Sequence, residues 1–311
     1  MVTRRHVGVL TLALALLLGA ASNGSASNGA ARNFPVTVAA ANGKVTIAAK
    51  PTRIVSLSPT ATENLFAIGA GDQVVAVDDQ SNYPEAAPHT KLSGYTPNAE
   101  AIAAYRPDLV VVSADLGRIV AALGKLHIPV IVQPTAAKLS DAYTQLRQLG
   151  KVTGHDGQAA GVVSSMQKQI AAAAKSVPRS AKKLTVYHEL DPTYYSATSK
   201  TFIGRVYALL GLRNVADAAD KTGSGYPQLS AEYIVSASPD LIVLADTKCC
   251  GQTVASVSKR AGWGTIAAVK NGDVVGVSDD VASRWGPRVV GFARLIAAKA
   301  RALAADGGGN G

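Results

Sequence analysis

The sequence predicts an α/β protein of two lobes, each built on a mainly parallel sheet, joined by one long rigid helix and enclosing a ligand cleft. Three observations carry this prediction. Short β-branched runs alternate with helical stretches twice along the chain, the pattern of parallel sheets covered on both faces. Between the two series, residues 140–178 have helical composition with no strand. Finally, "NAEAIAAYRPDLVVV" at 98–112 returns 132 positions later as "SAEYIVSASPDLIVL" at 230–244, with seven of fifteen residues identical.

The bulk numbers agree with a large folded chain. Of 311 residues, 48% are hydrophobic and 17% charged, so a sizeable core can form and disorder is excluded. The net charge of +10 is spread along the sequence rather than gathered into a basic block, which argues against a nucleic-acid module. At the N-terminus, Arg4 and Arg5 precede an apolar stretch from Val7 to Leu18 and small residues at Gly19, Ala20 and Ala21. That layout predicts an export signal and an extracytoplasmic protein. No cysteine stands near the expected cleavage region, so lipid attachment is not expected there, and no later run is long enough to span a membrane. The expected organisation is signal and tether at 1–33, a first lobe at 34–139, the connecting helix at 140–178, a second lobe at 179–305 and a tail at 306–311.

Taken in order, Val36–Ile47 reads as a hairpin around Asn42-Gly43. "RIVSLS" is a strand and Thr60–Ile68 a helix stopped by Gly69 and Gly71. "QVVAV", "DLVVVS" and "PVIVQ" are strands separated by the helices "NAEAIAAY" and "RIVAALGKL". The long helical region follows, with a bend expected near Gly154 to Gly157 and a stop at Pro178. In the second series, "KLTVYHEL", "DLIVLA" and "DVVGVS" are strands, and "RVVGFARLIAAKARALAA" is the closing helix. Each copy of the repeat is therefore a helix start, a Pro-Asp turn and a strand, one copy per lobe.

Ligands of parallel α/β sheets bind beyond the carboxyl ends of the strands. In those loops the sequence places Tyr83, Tyr95, Tyr194, Tyr195 and Tyr226, out of ten tyrosines against four phenylalanines. A ring with a polar tip suits a wet cleft better than a core. In "SRWGPR", Arg284 and Arg288 can fork onto carbonyl or phosphate oxygens, and Trp285 can offer a flat face. "SPTATE" at 58–63 reads as a helix N-cap rather than an anion site.

Catalysis has little support. The cluster His188, Glu189 and Asp191 is the one candidate for acid–base or metal chemistry, and it lacks a second histidine at ligand spacing. No nucleophile elbow, phosphate loop or dinucleotide fingerprint is present. No catalytic residue, metal or cofactor is expected. Cys249 and Cys250 are either two reduced thiols or, in an oxidising compartment, a vicinal disulfide.

Together, "RIVSLSPTATENLFAIGAGDQVVAV", the two repeat copies, "ELDPTYYSA", "TFIG" and "SDDVASRWGPR" resemble the substrate-binding proteins of ABC importers for cobalamin, iron-siderophores and haem. The resemblance runs from residue 52 to about 300. It implies two Rossmann-like lobes joined by a helix, a monomer that binds a small molecule, and a membrane permease as partner. In that family one glutamate on each lobe docks onto permease arginines, and the matching positions are Glu100 and Glu232. Against the cobalamin binders, Tyr95 and Tyr226 fall where cleft tryptophans stand, and Arg284 falls at a cleft arginine. Gln80 and Ser113 replace further aromatics. The resemblance implies cobalamin as the ligand, with a ferric siderophore or haem as the alternative.

Overall fold

The structure, a computed structural model, describes residue 1 and residues 34–306. The expected signal, the tether and residues 307–311 of the expected tail lie outside the described residues. The chain enters through an antiparallel hairpin, β1 (Val36–Ala40) and β2 (Gly43–Ile47), with Val36 opposite Ile47. Gly43 takes φ 105°, as a tight Asn-Gly turn requires. The Asn42 side chain donates to the Val130 carbonyl and accepts from the Val132 N–H, so the hairpin turn covers one edge of the first sheet.

The first lobe then runs β3 (Ile54–Leu57), α1 (Pro59–Ala67), β4 (Val74–Val77), α2 (Ala99–Ala103), β5 (Leu109–Val112), α3 (Ile119–Gly124) and β6 (Val130–Val132). Its four strands are all parallel, in the order β4-β3-β5-β6. After α4 (Leu139–Thr153) and α5 (Asp156–Ser176), the second lobe runs β7 (Thr185–Glu189), α6 (Phe202–Leu209), β8 (Arg213–Asn214), α7 (Ala231–Ala237), β9 (Leu241–Leu244), α8 (Val254–Ser258), α9 (Ala267–Asn271) and β10 (Val274–Gly276). It closes with α10 (Asp279–Ser283) and α11 (Val289–Asp306). This sheet is also parallel, in the order β10-β9-β7-β8. Numbered from its own first strand, each lobe has the order 2-1-3-4. The two lobes share one topology.

The repeated phrase is the part of that topology written most literally. Asn98 caps α2 by accepting from Ala101 N–H at 2.9 Å, and Ser230 caps α7 by accepting from Tyr233 N–H at 3.1 Å. Each helix is followed by a left-handed residue at the same register, Arg106 (φ 49°) and Ser238 (φ 40°). The proline after it blocks renewed helix. The aspartate then clamps the start of the neighbouring strand. Asp108 accepts from the N–H and hydroxyl of Thr52 and from Arg53 N–H, and Asp240 from the N–H and hydroxyl of Thr185. β5 and β9 are buried throughout, as central parallel strands must be.

The helical stretch expected as one unit from 140 to 178 is two helices. Gly154 ends α4 in the left-handed region at φ 74°, and α5 starts two residues later. A Cβ on Gly150 would stand 2.4 Å from Ala159 Cβ, so glycine there lets the two helices meet closely. α4 packs on α1 and β1, whereas α5, a 21-residue helix, packs along α11. One continuous apolar cluster runs from Ile54 and Val111 through Leu146, Val163 and Met166 to Val186, Tyr207 and Phe292. The lobes thus share a core, and that shared core makes the link stiff.

Candidate functional site

The carboxyl ends of β3, β4 and β5 open onto a cavity of about 420 Å³, closed on the far side by the α10–α11 loop of the second lobe. Its first-lobe wall includes Leu57, Pro59, Gln80, Tyr95, Ser113, Leu116 and Thr135. Its second-lobe wall is Asp280, Ser283, Arg284 and Trp285. Ser58 caps α1 through its hydroxyl, in line with the sequence reading of "SPTATE".

Trp285 is fixed by its indole N–H, which donates to Gln145 Oε1 at 2.7 Å on α4. Its ring is thereby held as part of the wall. Tyr95 sits at the rim, 77% exposed, on a turn in which Ser93 Oγ accepts from the N–H groups of Tyr95 and Thr96. A ring so exposed, with Leu116 beside the same cavity at 38% exposure, offers apolar surface at the cavity.

Arg284 lines the cavity but does not offer the free fork the sequence suggested. It is 8% exposed, and its terminal nitrogens donate to Glu63 Oε1 at 2.8 Å, Asn82 Oδ1 at 2.9 Å, the Gln80 carbonyl at 2.9 Å and Asp280 Oδ1 at 2.7 Å. Arg288 adds its own fork onto Glu63, through Nε at 2.9 Å and through Nη2. Glu63 is buried on α1 of the first lobe, and both arginines come from the second. The arrangement is a latch between lobes. Burial pushes the Asp280 carboxyl up, but bonds from Lys248 and Asn82 and the Arg284 charge hold it below its ordinary value. Asp78, in the cavity floor, moves the other way: burial raises it against hydrogen bonds from Ser81 and Gln80.

The other tyrosines divide. Tyr83 leaves the cavity for a neighbouring groove of about 390 Å³ with Phe66, Pro84 and Arg288, whose guanidinium lies 4.5 Å over its ring. Tyr194, expected in the cleft, is instead a packing residue. Its backbone turns left-handed (φ 69°) and its ring lies 5.8 Å from the buried Trp263. Tyr195 and Tyr226, 41% and 47% exposed, stand in the loops after β7 and before α7, outside the cavity wall.

His188, Glu189 and Asp191 do not assemble into one site, because successive strand residues point to opposite faces. His188 is fully buried, its Nδ1 2.7 Å from the Tyr207 hydroxyl, and desolvation lowers its pKa to about 4. Glu189 accepts a two-pronged bond from Arg260 at 2.6 and 2.7 Å. Asp191 caps a surface turn at Thr193. Beside Glu189, Asp246 is raised to about 7, first by burial and then by the Glu189 charge. Among the described residues, no group of three or more His, Cys, Asp or Glu is arranged to hold a metal. The sulfurs of Cys249 and Cys250 are joined, and Asp279 accepts from the N–H groups of Lys248 and Cys249, pinning that loop to α10. Glu100 and Glu232 are both exposed, in the first turns of α2 and α7. Hydrogen bonds from its own N–H and from Ser230 hold Glu232 below its usual value.

Residues 54–281 match the family model described as periplasmic binding protein. The chain belongs to this family. This periplasmic binding protein is 33% identical over 299 residues to the uncharacterized ABC transporter substrate-binding lipoprotein YvrC of Bacillus subtilis, covering 90% of this chain and 91% of that one. It is 32% identical over 268 residues to the cobalamin-binding protein of Halobacterium salinarum, covering 83% and 72%. The fold matches the periplasmic heme-binding protein RhuT of Roseiflexus, with a TM-score of 0.72 at 22% identity over 82% of this chain and 99% of that one. The family is one of binding proteins.

The sequence reading missed Glu63, Asn82 and Asp280, which hold the lobes together. A signal for Glu63 was available: an acid on an apolar helix, in a chain that also carries two arginines four apart. Which acid meets which arginine was not readable, because the partners are 221 and 225 positions apart.

Proposed function

We propose that this protein is the extracytoplasmic substrate-binding component of an ABC importer and that it carries a corrinoid of the cobalamin type to a membrane permease. The observation that carries the ligand class is the charge state of the cavity. Its one lining cation, Arg284, is neutralised by Glu63 and Asp280, while Tyr95, Trp285 and Leu116 supply ring and apolar surface. A flat macrocycle edged with neutral amides meets those faces and the side chains of Gln80, Ser113 and Thr135 without needing a free cation. Haem, with two carboxylates, would bury them against no counter-charge, which disfavours it. The cobalamin-binding relative supports the same choice.

Glu100 and Glu232 are the proposed permease contacts. They occupy the same register in two lobes of one topology, so they present matched acids to a two-fold partner. The test is a parallel calorimetric and optical titration with cyanocobalamin, haemin and a ferric hydroxamate. One-to-one saturation by cyanocobalamin alone supports the reading, and preferential binding of haemin or the hydroxamate replaces the cargo. The double change Glu100→Ala/Glu232→Ala should leave titration unaltered and abolish uptake. Retained uptake would remove the docking assignment.

A further inference from the structure

The positive charge that looks diffuse in the sequence is gathered by the fold. Residues 157–183 and 289–305 contain eight Lys and Arg (Lys168, Lys175, Arg179, Lys182, Lys183, Arg294, Lys299 and Arg301) and no Asp or Glu. Residues 34–306 hold 28 basic and 21 acidic side chains, so without those eight the remainder is 20 basic against 21 acidic. Asp156 opens α5 and Asp306 ends α11, so α5, the Arg179–Lys183 turn and α11 together hold eight basic and two acidic side chains, a net +6 of the +7 of residues 34–306. These elements are packed together, and Arg301 Nη1 donates to Ser176 Oγ at 2.6 Å where the end of α5 meets α11.

Between the two helices runs a furrow of about 320 Å³. Ala172, Ala173 and Ala297 lie along it, and Lys168, Arg294, Arg301 and Ser176 supply its polar groups. Lys168, Arg294 and Arg301 are exposed. Arg294 and Arg301 stand seven residues apart on α11, two turns along one face, with Lys168 and Lys175 spaced likewise on α5. The basic turn at 179–183 leads into the amino end of β7, so it lies at the opposite end of the sheet from the cleft loops.

We propose that this furrow and the basic turn beside it bind a linear phosphate polyanion outside the cytoplasm. Cations repeating along a shallow channel match a chain of regularly spaced phosphates, and Arg and Lys are the side chains suited to phosphate oxygens. A bilayer is the poorer fit, since the site is concave and Leu295 is the one large exposed apolar side chain on α11. Bound this way, the protein is held by an anionic envelope polymer while its cleft stays open. The inference is independent of the cargo.

The test uses the mature chain with long-chain inorganic polyphosphate, monitored by calorimetry from low to physiological salt. Pyrophosphate, duplex DNA and phosphatidylglycerol–phosphatidylcholine vesicles serve as comparison arms. The expected result is polyphosphate binding that weakens steeply with salt and falls at least about tenfold in Lys168→Gln/Arg294→Gln/Arg301→Gln. The control Lys44→Gln/Lys91→Gln/Lys125→Gln, which removes the same charge from exposed sites elsewhere, should bind like the parent. Thermal melts check that both variants remain folded. Absence of polyphosphate binding overturns the proposal, as do equal losses in the two variants or equal affinity for pyrophosphate. Tighter binding to vesicles or to DNA than to polyphosphate also overturns it, in favour of that partner. Cyanocobalamin titration of the same samples reads the cleft separately, so failure of one reading does not imply failure of the other.

Discussion

Replacing Glu63 by glutamine should loosen the joint between the lobes. Glu63 is 3% exposed and accepts three bonds from two guanidinium groups, one from Arg284 and two from Arg288. The amide keeps the volume and one acceptor oxygen but removes the charge, leaving the buried Arg284 and the partly buried Arg288 facing a neutral group. Removing one partner of a buried ion pair costs about 3–5 kcal/mol, most of it the stranded charge. Asp280 remains on Arg284 at 2.7 Å, so the lower part of that range is expected. For a chain of this size a loss of about 3 kcal/mol corresponds to a fall in Tm of roughly 5 °C. Calorimetric melts of wild type, Glu63→Gln, Arg288→Met and the double variant form a cycle, and the coupling between the two sites should be at least about 1 kcal/mol. A Tm change under about 2 °C for Glu63→Gln, or strictly additive single changes, would refute the latch.

Other outcomes are expected. Asp246 has a folded pKa of about 7, above its unfolded value, so the folded state holds the extra proton; its contribution is present in acid and is lost as pH rises through 7. Asp246→Asn should therefore gain on the order of a few kcal/mol at pH 8 and little at pH 4, read from urea melts at the two pH values. His188 shows the opposite sign for acid: lowered to about 4, it must be protonated against burial, so wild-type stability should fall between pH 6.5 and 4, and His188→Gln should flatten that limb. Asp108→Ala and Asp240→Ala should each lose about 1–3 kcal/mol in denaturant titration, by similar amounts, because each clamps one strand in the same way. Tyr95→Ala should weaken cyanocobalamin at least about tenfold while leaving Tm within about 1 °C, since an exposed ring contributes to contact with ligand and little to folding.

Part of the cavity wall was legible for local reasons. Loop tyrosines stand out because a strand end is marked by the end of an apolar run, and Tyr95 and Trp285 do lie on the cavity. Neither of the neighbours Tyr195 and Tyr194 lines the cavity, and only Tyr194 turns inward. One left-handed backbone turn sends its ring onto Trp263, and nothing local distinguishes the two. His188 and Glu189 looked like a pair in sequence and face opposite sides of a strand, one meeting Tyr207 and the other Arg260.

By itself the sequence determined two parallel α/β lobes, the hairpin at Asn42-Gly43, the repeat with its caps and Pro-Asp turns, and the helical region between the lobes. These follow from hydrophobic period, capping and turn chemistry, all of which act within about a dozen residues. The tertiary structure alone decided the close approach of α4 and α5 at Gly150, the Glu63 latch that occupies Arg284, and the gathering of dispersed lysines and arginines onto α5 and α11. Each of these depends on which distant segments are brought within a few ångströms. Burial and charge pairing act at that range between residues far apart along the chain, so the linear order of residues does not record them.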